Sequence, residues 1–500
     1  MNMHADPAAF TPELILLAGA VAALLTGAFV PRRRQWVAQL IAAAALTGSL
    51  AATGTIGAPG NTVYAGSYTL DGAPLAARLI VPAAALLTLA LAARRTRGDA
   101  REAEFAVLVL LASAGTILLA GSSDLLLLAV AYLLASIPLY ALAGWGRDRR
   151  GAEGALKIYL LGVLAGILLL LGVAILYGLT GSTAYTELAT RLPHAPPAAL
   201  AAGLVAVLAG LLFKAGAVPV HFWVPDAVQG ATVGAGAFMT TIPKIGALLA
   251  LHRLVLTMPG DGVNWRLLLA IIAAASMTLG NLAAFRQNSP TRLLAYSTIS
   301  QVGYLLMAVV VAGTAARPAP LAALVLYLAA YAAANLGAFA VVAAQPRRAA
   351  LADYRGLARA HPALAAVLVV CLLALVGTPP TGVFTGKLTV FSTAWDGGFA
   401  WLVVIAAINS VASLYYYLRW IAPAFTSATP TPTTEDDGAG AVDPAAGQIV
   451  GEGSTWRASL GALALPARWV TAGAVIAGLA ALLLGPAADI VMTMAPGAQP

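Results

Sequence analysis

The sequence predicts an all-α polytopic membrane protein with about fourteen transmembrane helices, arranged as two inverted five-helix repeats that contain broken helices. Three observations predict it. Of 500 residues, 60% are hydrophobic and only 10% are charged, against roughly 25% charged in a soluble domain, so too little polar surface exists to coat a water-soluble core. Apolar runs of bilayer-spanning length, about 20 residues, recur along the chain. Prolines and glycines interrupt two of those runs, where irregular backbone is tolerated only inside protein or beside a polar cavity.

The runs fall at 12–30, 36–54, 75–93, 104–121, 124–143, 155–178, 198–218, 232–256, 266–285, 292–313, 319–344, 362–392, 398–423 and 467–490. The first is followed by Pro31-Arg32-Arg33-Arg34 rather than a small-residue cleavage site, and reads as a retained helix. Pro219 ends or breaks the 198–218 run, Pro243 sits inside the 232–256 run, and Gly377 to Gly382 (GTPPTG) must interrupt the 362–392 run. Spans four to eight and nine to thirteen each contain a proline-broken helix near an intramembrane lysine, the pattern of repeats in transporters. The expected organisation is three N-terminal helices (1–103), a first five-helix repeat (104–260), a second (261–425), a flexible linker (426–465) and a last helix (466–500). The linker is rich in Thr, Pro, Gly and Ala, carries Glu435-Asp436-Asp437 and has no helical period.

Loop charges orient the chain. Alternate loops counted from the first carry nineteen arginines and the opposite set five, Arg78, Arg191, Arg253, Arg266 and Arg317. The rich side is expected to be cytoplasmic, with both termini on the outer side of a bacterial inner membrane. The net charge of +8 therefore reflects topology and not nucleic-acid binding. The single cysteine, Cys371, cannot build a disulfide, cluster or thiolate metal site alone and reads as a small buried hydrophobe. No P-loop, dinucleotide fingerprint or haem-binding His pair is present. No redox cofactor or metal is expected in this chain, and its energy must come from an ion gradient or from partner subunits.

Only four of the 28 basic side chains are lysine, Lys157, Lys214, Lys244 and Lys387, and none lies in a basic loop cluster. Arginine cannot release its proton in a protein, whereas a lysine in low dielectric can. A cation at the bilayer centre costs roughly 2.5–3.5 kcal/mol even on the lenient insertion scale. Lys214, Lys244 and Lys387 are therefore candidates for a proton path. The structural alternative is that each pairs with a carboxylate or caps the carbonyls of a broken helix. Lys157, just inside a span, is an entrance or a snorkelling side chain. His221, seven residues after Lys214, is either a relay or a satisfied structural donor. Asp226 reads as the cap of the next turn.

Several segments resemble a known family: Phe213 to Asp226 (FKAGAVPVHFWVPD), Asn281 to Tyr304 (NLAAFRQNSPTRLLAYSTISQVGY), Tyr331 to Phe339 (YAAANLGAF), Asp353 to Leu357 (DYRGL), Pro379 to Lys387 (PPTGVFTGK) and Asn409 to Arg419 (NSVASLYYYLR). They match, in order over about residues 104–423, subunit N of bacterial NADH-quinone oxidoreductase, respiratory complex I. They match it better than subunits L and M or the Mrp-type antiporter subunits of the same fold. The resemblance implies fourteen helices, two inverted repeats, packing beside subunits K and M among membrane lipids, and proton-path lysines at Lys214, Lys244 and Lys387. It implies a proton-translocating subunit of an enzyme whose NADH oxidation and quinone reduction occur in other chains.

One departure stands out. The family carries a glutamate in its fifth helix, in a segment resembling GLELLSLPLY. The matching segment here is Ala131 to Tyr140 (AYLLASIPLY), with Leu133 at the glutamate position. That glutamate is expected to pair with the Lys214 position, so Lys214 lacks a charge partner here. Asp124 is too far along the same helix to substitute. Either a neighbouring subunit supplies a carboxylate or coupling differs, as in a divergent paralogue. Two other functions remain open: a Na⁺/H⁺ antiporter subunit and a non-pumping spacer of the membrane arm.

Overall fold

The computed structural model describes residues 7–56, 60–259, 264–316, 319–427 and 465–493. Nearly all of the expected linker, with its acidic triplet, lies outside the described residues, as does Arg317. The helices are α1 Thr11–Phe29, α2 Trp36–Ile56, α3 Gly72–Thr96, α4 Glu102–Gly121, α5 Leu125–Ala143, α6 Arg149–Thr180, α7 Tyr185–Arg191, α8 Pro197–Ala215, α9 Trp223–Gly230, α10 Val233–Leu256, α11 Trp265–Ala284, α12 Pro290–Val310, α13 Pro320–Ala344, α14 Leu357–Ala360, α15 Pro362–Val376, α16 Gly382–Asp396, α17 Ala400–Phe425, α18 Leu465–Leu483 and α19 Ala488–Thr493. Twelve helices among the described residues are long and apolar enough to cross a membrane. The split pair α15/α16 and the apolar α18 supply two more, so each of the fourteen sequence runs is matched by helix.

Three helices form the middle of the bundle. The apolar windows of α10 and α12 are 94% buried and that of α13 is 89% buried, whereas those of α2 and α17 are 33% buried. The first three are thus enclosed by protein and the outer helices present apolar faces such as Val130, Ile137, Ile167 and Val411 outward. Small residues permit the close packing: a side chain at Gly115 would strike the Ala135 backbone, and one at Gly246 the Thr116 carbonyl.

Both broken helices stop in the same way. The α8 helix ends at a left-handed Gly216 (φ 81°) and α15 at a left-handed Gly377 (φ 91°), a conformation that glycine adopts without steric cost. The break after α8 therefore comes at Gly216, with Pro219 in the connecting loop rather than at the helix end. Pro243, inside the 232–256 run, does not break it: α10 runs through it without interruption. Surrounding protein holds the helix together there and the freed carbonyl finds another donor.

Two small elements were not legible in sequence: the hairpin of β1 Thr62–Val63 with β2 Tyr68–Thr69, and α7. The hairpin delivers Tyr68 to a buried ion pair. Arg78 is not a loop charge as the topology count supposed. It lies in α3, 1% exposed, and makes two 2.8 Å contacts to Glu13 of α1, while its Nη2 also donates to the Ala9 carbonyl at 2.7 Å. Tyr68 donates to the same carboxylate at 3.2 Å.

Candidate functional site

Lys214, Lys244 and Lys387 are all buried, and none forms an ion pair with a carboxylate among the described residues. Neutral dipoles receive them. Lys214, in the last turn of α8, donates to Ser136 Oγ at 2.7 Å and lies 5.2 Å from the Tyr132 ring centre, both on α5. Leu133, on that same helix, is 40% exposed and points outward. Ser136, one turn later, is the α5 side chain that reaches the lysine.

Lys244 donates to its own helix, to the Met239 carbonyl at 3.1 Å, and lies 5.6 Å from the Trp223 ring. Trp223 in turn donates to the Phe213 carbonyl at 3.0 Å, fixing that ring between Lys244 and the end of α8. Lys387, on α16, donates to the Val376 and Leu375 carbonyls at 2.8 and 3.4 Å and to Ser410 Oγ at 3.1 Å, with the Tyr304 ring 4.2 Å away. Those two carbonyls belong to the last turn of α15, where a helix leaves acceptors unmatched and its dipole is negative. The capping arrangement set out as the structural alternative is thus present at Lys387. An aromatic face adds cation–π attraction at each lysine.

Buried polar residues line the space between Lys244 and Lys387, and the sequence reading did not single them out. On α13, Tyr327, Tyr331 and Asn335 recur every four residues and so share one face. Asn335 donates to Thr240 and Thr241, both at 2.9 Å. Tyr331 donates to the Thr240 carbonyl at 2.8 Å and lies 3.0 Å from Thr298 Oγ1. Gln301, three residues after Thr298 on α12, accepts from Tyr327 and donates to the Leu375 carbonyl at 2.8 Å. That carbonyl is one of those that Lys387 touches. Polar residues at four-residue spacing inside an otherwise apolar helix were the available signal.

Lys157 and His221 sit elsewhere, at an open cleft of about 490 Å³ on the face that carries the basic loops. His221 stacks on Phe222 with ring centres 4.6 Å apart, and no hydrogen bond links it to Lys214. Asp226 does not cap α9. It accepts from Lys157 at 2.7 Å and from Arg292 at 2.8 Å, clamping α9 to α6 and α12. Lys157 also reaches Glu153 at 2.7 Å, and Arg292 reaches Gln229 at 2.9 Å. Burial works to raise the Asp226 carboxyl, but the hydrogen bonds from Lys157 and Arg292 outweigh it and hold the group below the usual carboxylate range. A lowered folded value means that the clamp is complete above about pH 4 and is lost as pH falls through the lowered value. Asp226→Asn is expected to release Lys157 and Arg292 with less than about 1 kcal/mol lost in stability, because part-exposed pairs contribute little. The temperature of unfolding, with Asp226→Glu as the restoring variant, checks this.

Fold and site together define a multi-spanning membrane protein with a lysine-bearing polar axis threaded between broken helices. The family model described as NADH:quinone oxidoreductase/Mrp antiporter, TM, matches residues 122–413. The chain is 50% identical over 494 residues to NADH-quinone oxidoreductase subunit N 1 of Streptomyces griseus, covering 98% of each chain. It belongs to the subunit N family of antiporter-like membrane subunits. Among solved structures it is similar to a chain of respiratory complex I from Thermus thermophilus, at 33% identity and TM-score 0.78 over 97% of this chain and 100% of that one. A chain of the Mrp complex from Dietzia superposes at TM-score 0.82 with 23% identity, covering 99% and 97%, which establishes the shared fold alone.

Proposed function

We propose that the chain is a proton-translocating membrane-arm subunit of an NADH-quinone oxidoreductase, driven by quinone reduction in other subunits. The observation that carries the reading is the set of three buried lysines seated on neutral dipoles. A lysine held by a carboxylate is locked as an ion pair. One held by a hydroxyl or by carbonyls can give its proton up and take it back. Protons enter at the cleft around Lys157, His221 and Asp226, load Lys214, pass Lys244 and the Thr240–Asn335–Tyr331 stripe with bound water, and leave from Lys387. The face with the basic loops is cytoplasmic, both termini lie outside the inner membrane, and subunits of the K and M types flank the chain among lipids. The two repeats are residues 104–260 and 261–425. Each charge moved against 100 mV requires about 2.3 kcal/mol, which quinone reduction must provide.

The Mrp-type reading has the weaker support, since it rests on a shared fold at 23% identity against 50% identity to a subunit N. The spacer reading rests on Leu133, yet Lys214 has a partner in Ser136. Lys244→Met tests the proposal: the assembled complex should reduce quinone with strongly diminished proton translocation in sodium-free vesicles. Parental translocation in that variant rules out Lys244 as a carrier, and a requirement for sodium supports the antiporter.

A further inference from the structure

We propose that Pro243 is a positioning residue for Lys244, reserving the Met239 carbonyl as the fixed seat of its ammonium group. The inference rests on the reading that Lys244 carries protons.

In an α-helix the N–H of residue 243 would bond the carbonyl of residue 239. Proline has no N–H. The α10 helix nevertheless continues unbroken from Val233 to Leu256, so the Met239 carbonyl is left without its helical donor. It lies in a helix enclosed by protein, its apolar window 94% buried, where an unmade hydrogen bond is costly. Lys244 Nζ fills the gap at 3.1 Å. The lysine follows the proline directly, and its side chain turns back toward the helix N-terminus, the direction that helical side chains favour. The next carbonyl, of Thr240, receives Tyr331 Oη at 2.8 Å, so the buried polar residues between the two lysines begin one residue from the seat.

Lys387 shows the same principle by another route. Its seat, the Leu375 and Val376 carbonyls, is freed by the end of α15 at Gly377. Two different backbone defects give two lysines the same kind of acceptor. A carbonyl stabilises the ammonium through its dipole and is too weakly basic to take the proton, so it holds the carrier in place without competing for the cargo. Of the charged groups on the helices around Lys244, Arg78 is engaged with Glu13, Glu102 with the Gly98 N–H, Asp226 with Lys157 and Arg292, and Arg253 of α10 itself with Asp71, while Arg94, Arg95 and Glu104 are exposed at the ends of α3 and α4. Lys214 on α8 and Tyr331 on α13 are the titratable neighbours of its seat.

The test uses the intact complex carrying Pro243→Ala, Pro243→Gly, Lys244→Met or the double variant Pro243→Ala/Lys244→Met. Either replacement at 243 restores the N–H and returns the Met239 carbonyl to the helix. The expected result is fewer protons translocated per electron and a pH profile of turnover displaced by about one unit, the worth of one hydrogen bond to a charged group. In the Lys244→Met background the same replacement should change neither readout further. Parental stoichiometry and pH profile in Pro243→Ala, with Lys244→Met impaired, overturn the proposal while leaving the role of Lys244 standing. Parental pumping in Lys244→Met defeats the underlying reading instead. An equal effect of Pro243→Ala in both backgrounds, or loss of assembly in both single variants at 243, also overturns the proposal by assigning Pro243 a purely structural role.

Discussion

Lys387→Arg is expected to assemble and to keep the carbonyls of α15 capped, yet to lose proton translocation. The guanidinium retains the charge and presents more donors than the ammonium, so it can satisfy Leu375 and Val376, which Lys387 contacts at 3.4 and 2.8 Å. It cannot release a proton at any accessible pH. Lys387→Met makes the complementary change, keeping a similar length while removing charge and donors. It leaves the Val376 carbonyl unmatched, at about 1–3 kcal/mol, while Gln301 still donates to that of Leu375, and it removes the desolvation cost of a buried cation, so assembly is retained and translocation is again lost. Proton translocation per electron in proteoliposomes, measured beside the yield of intact complex, decides the matter. A lysine that only caps a broken helix would be replaced by arginine without loss. A proton carrier would be replaced by neither.

Glu13→Ala is expected to cost about 3–5 kcal/mol, the penalty for leaving one member of a buried ion pair uncompensated. Arg78 would keep the Ala9 carbonyl at 2.7 Å but lose both contacts to the carboxylate, and Tyr68 would lose its acceptor as well. The result should be reduced recovery of intact complex and a lower temperature of inactivation. Removing both charges together, in Glu13→Leu/Arg78→Met, should cost much less, because no lone charge remains buried. Equal losses in the single and double variants would show that packing, not charge pairing, joins α1 to α3.

Much of the architecture was legible because it follows from length and composition alone. Fourteen runs long enough to span a bilayer must become helices, since lipid offers no partner for an unpaired peptide group. Pro219 and the Gly377–Gly382 segment marked breaks because glycine and proline disrupt the hydrogen-bond ladder locally, although the first break falls at Gly216, three residues before Pro219. The isolation of the lysines needed only the contrast between a cation and its apolar surroundings. What Pro243 does to its helix was not legible, because local sequence counts the missing hydrogen bond but not the lysine or the packing that compensates for it. Asp226 was misjudged because a cap is a local guess, whereas its partners lie 69 and 66 residues away in sequence.

The sequence by itself determined that this is a multi-spanning helical membrane protein, with three lysines in the apolar interior and backbone breaks close to them. Tertiary structure alone decided what each lysine faces: Ser136 and the Tyr132 ring for Lys214 rather than the Leu133 position, carbonyls for Lys244 and Lys387, and the polar side chains of Asn335, Tyr331 and Gln301 between them. The reason is rotational. Helices such as α5 and α15 are apolar on nearly every face, and lipid is as apolar as the protein interior, so no amphipathic stripe records which side turns inward. Only packing against neighbouring helices fixes that angle, and the angle selects the partners of the buried charges.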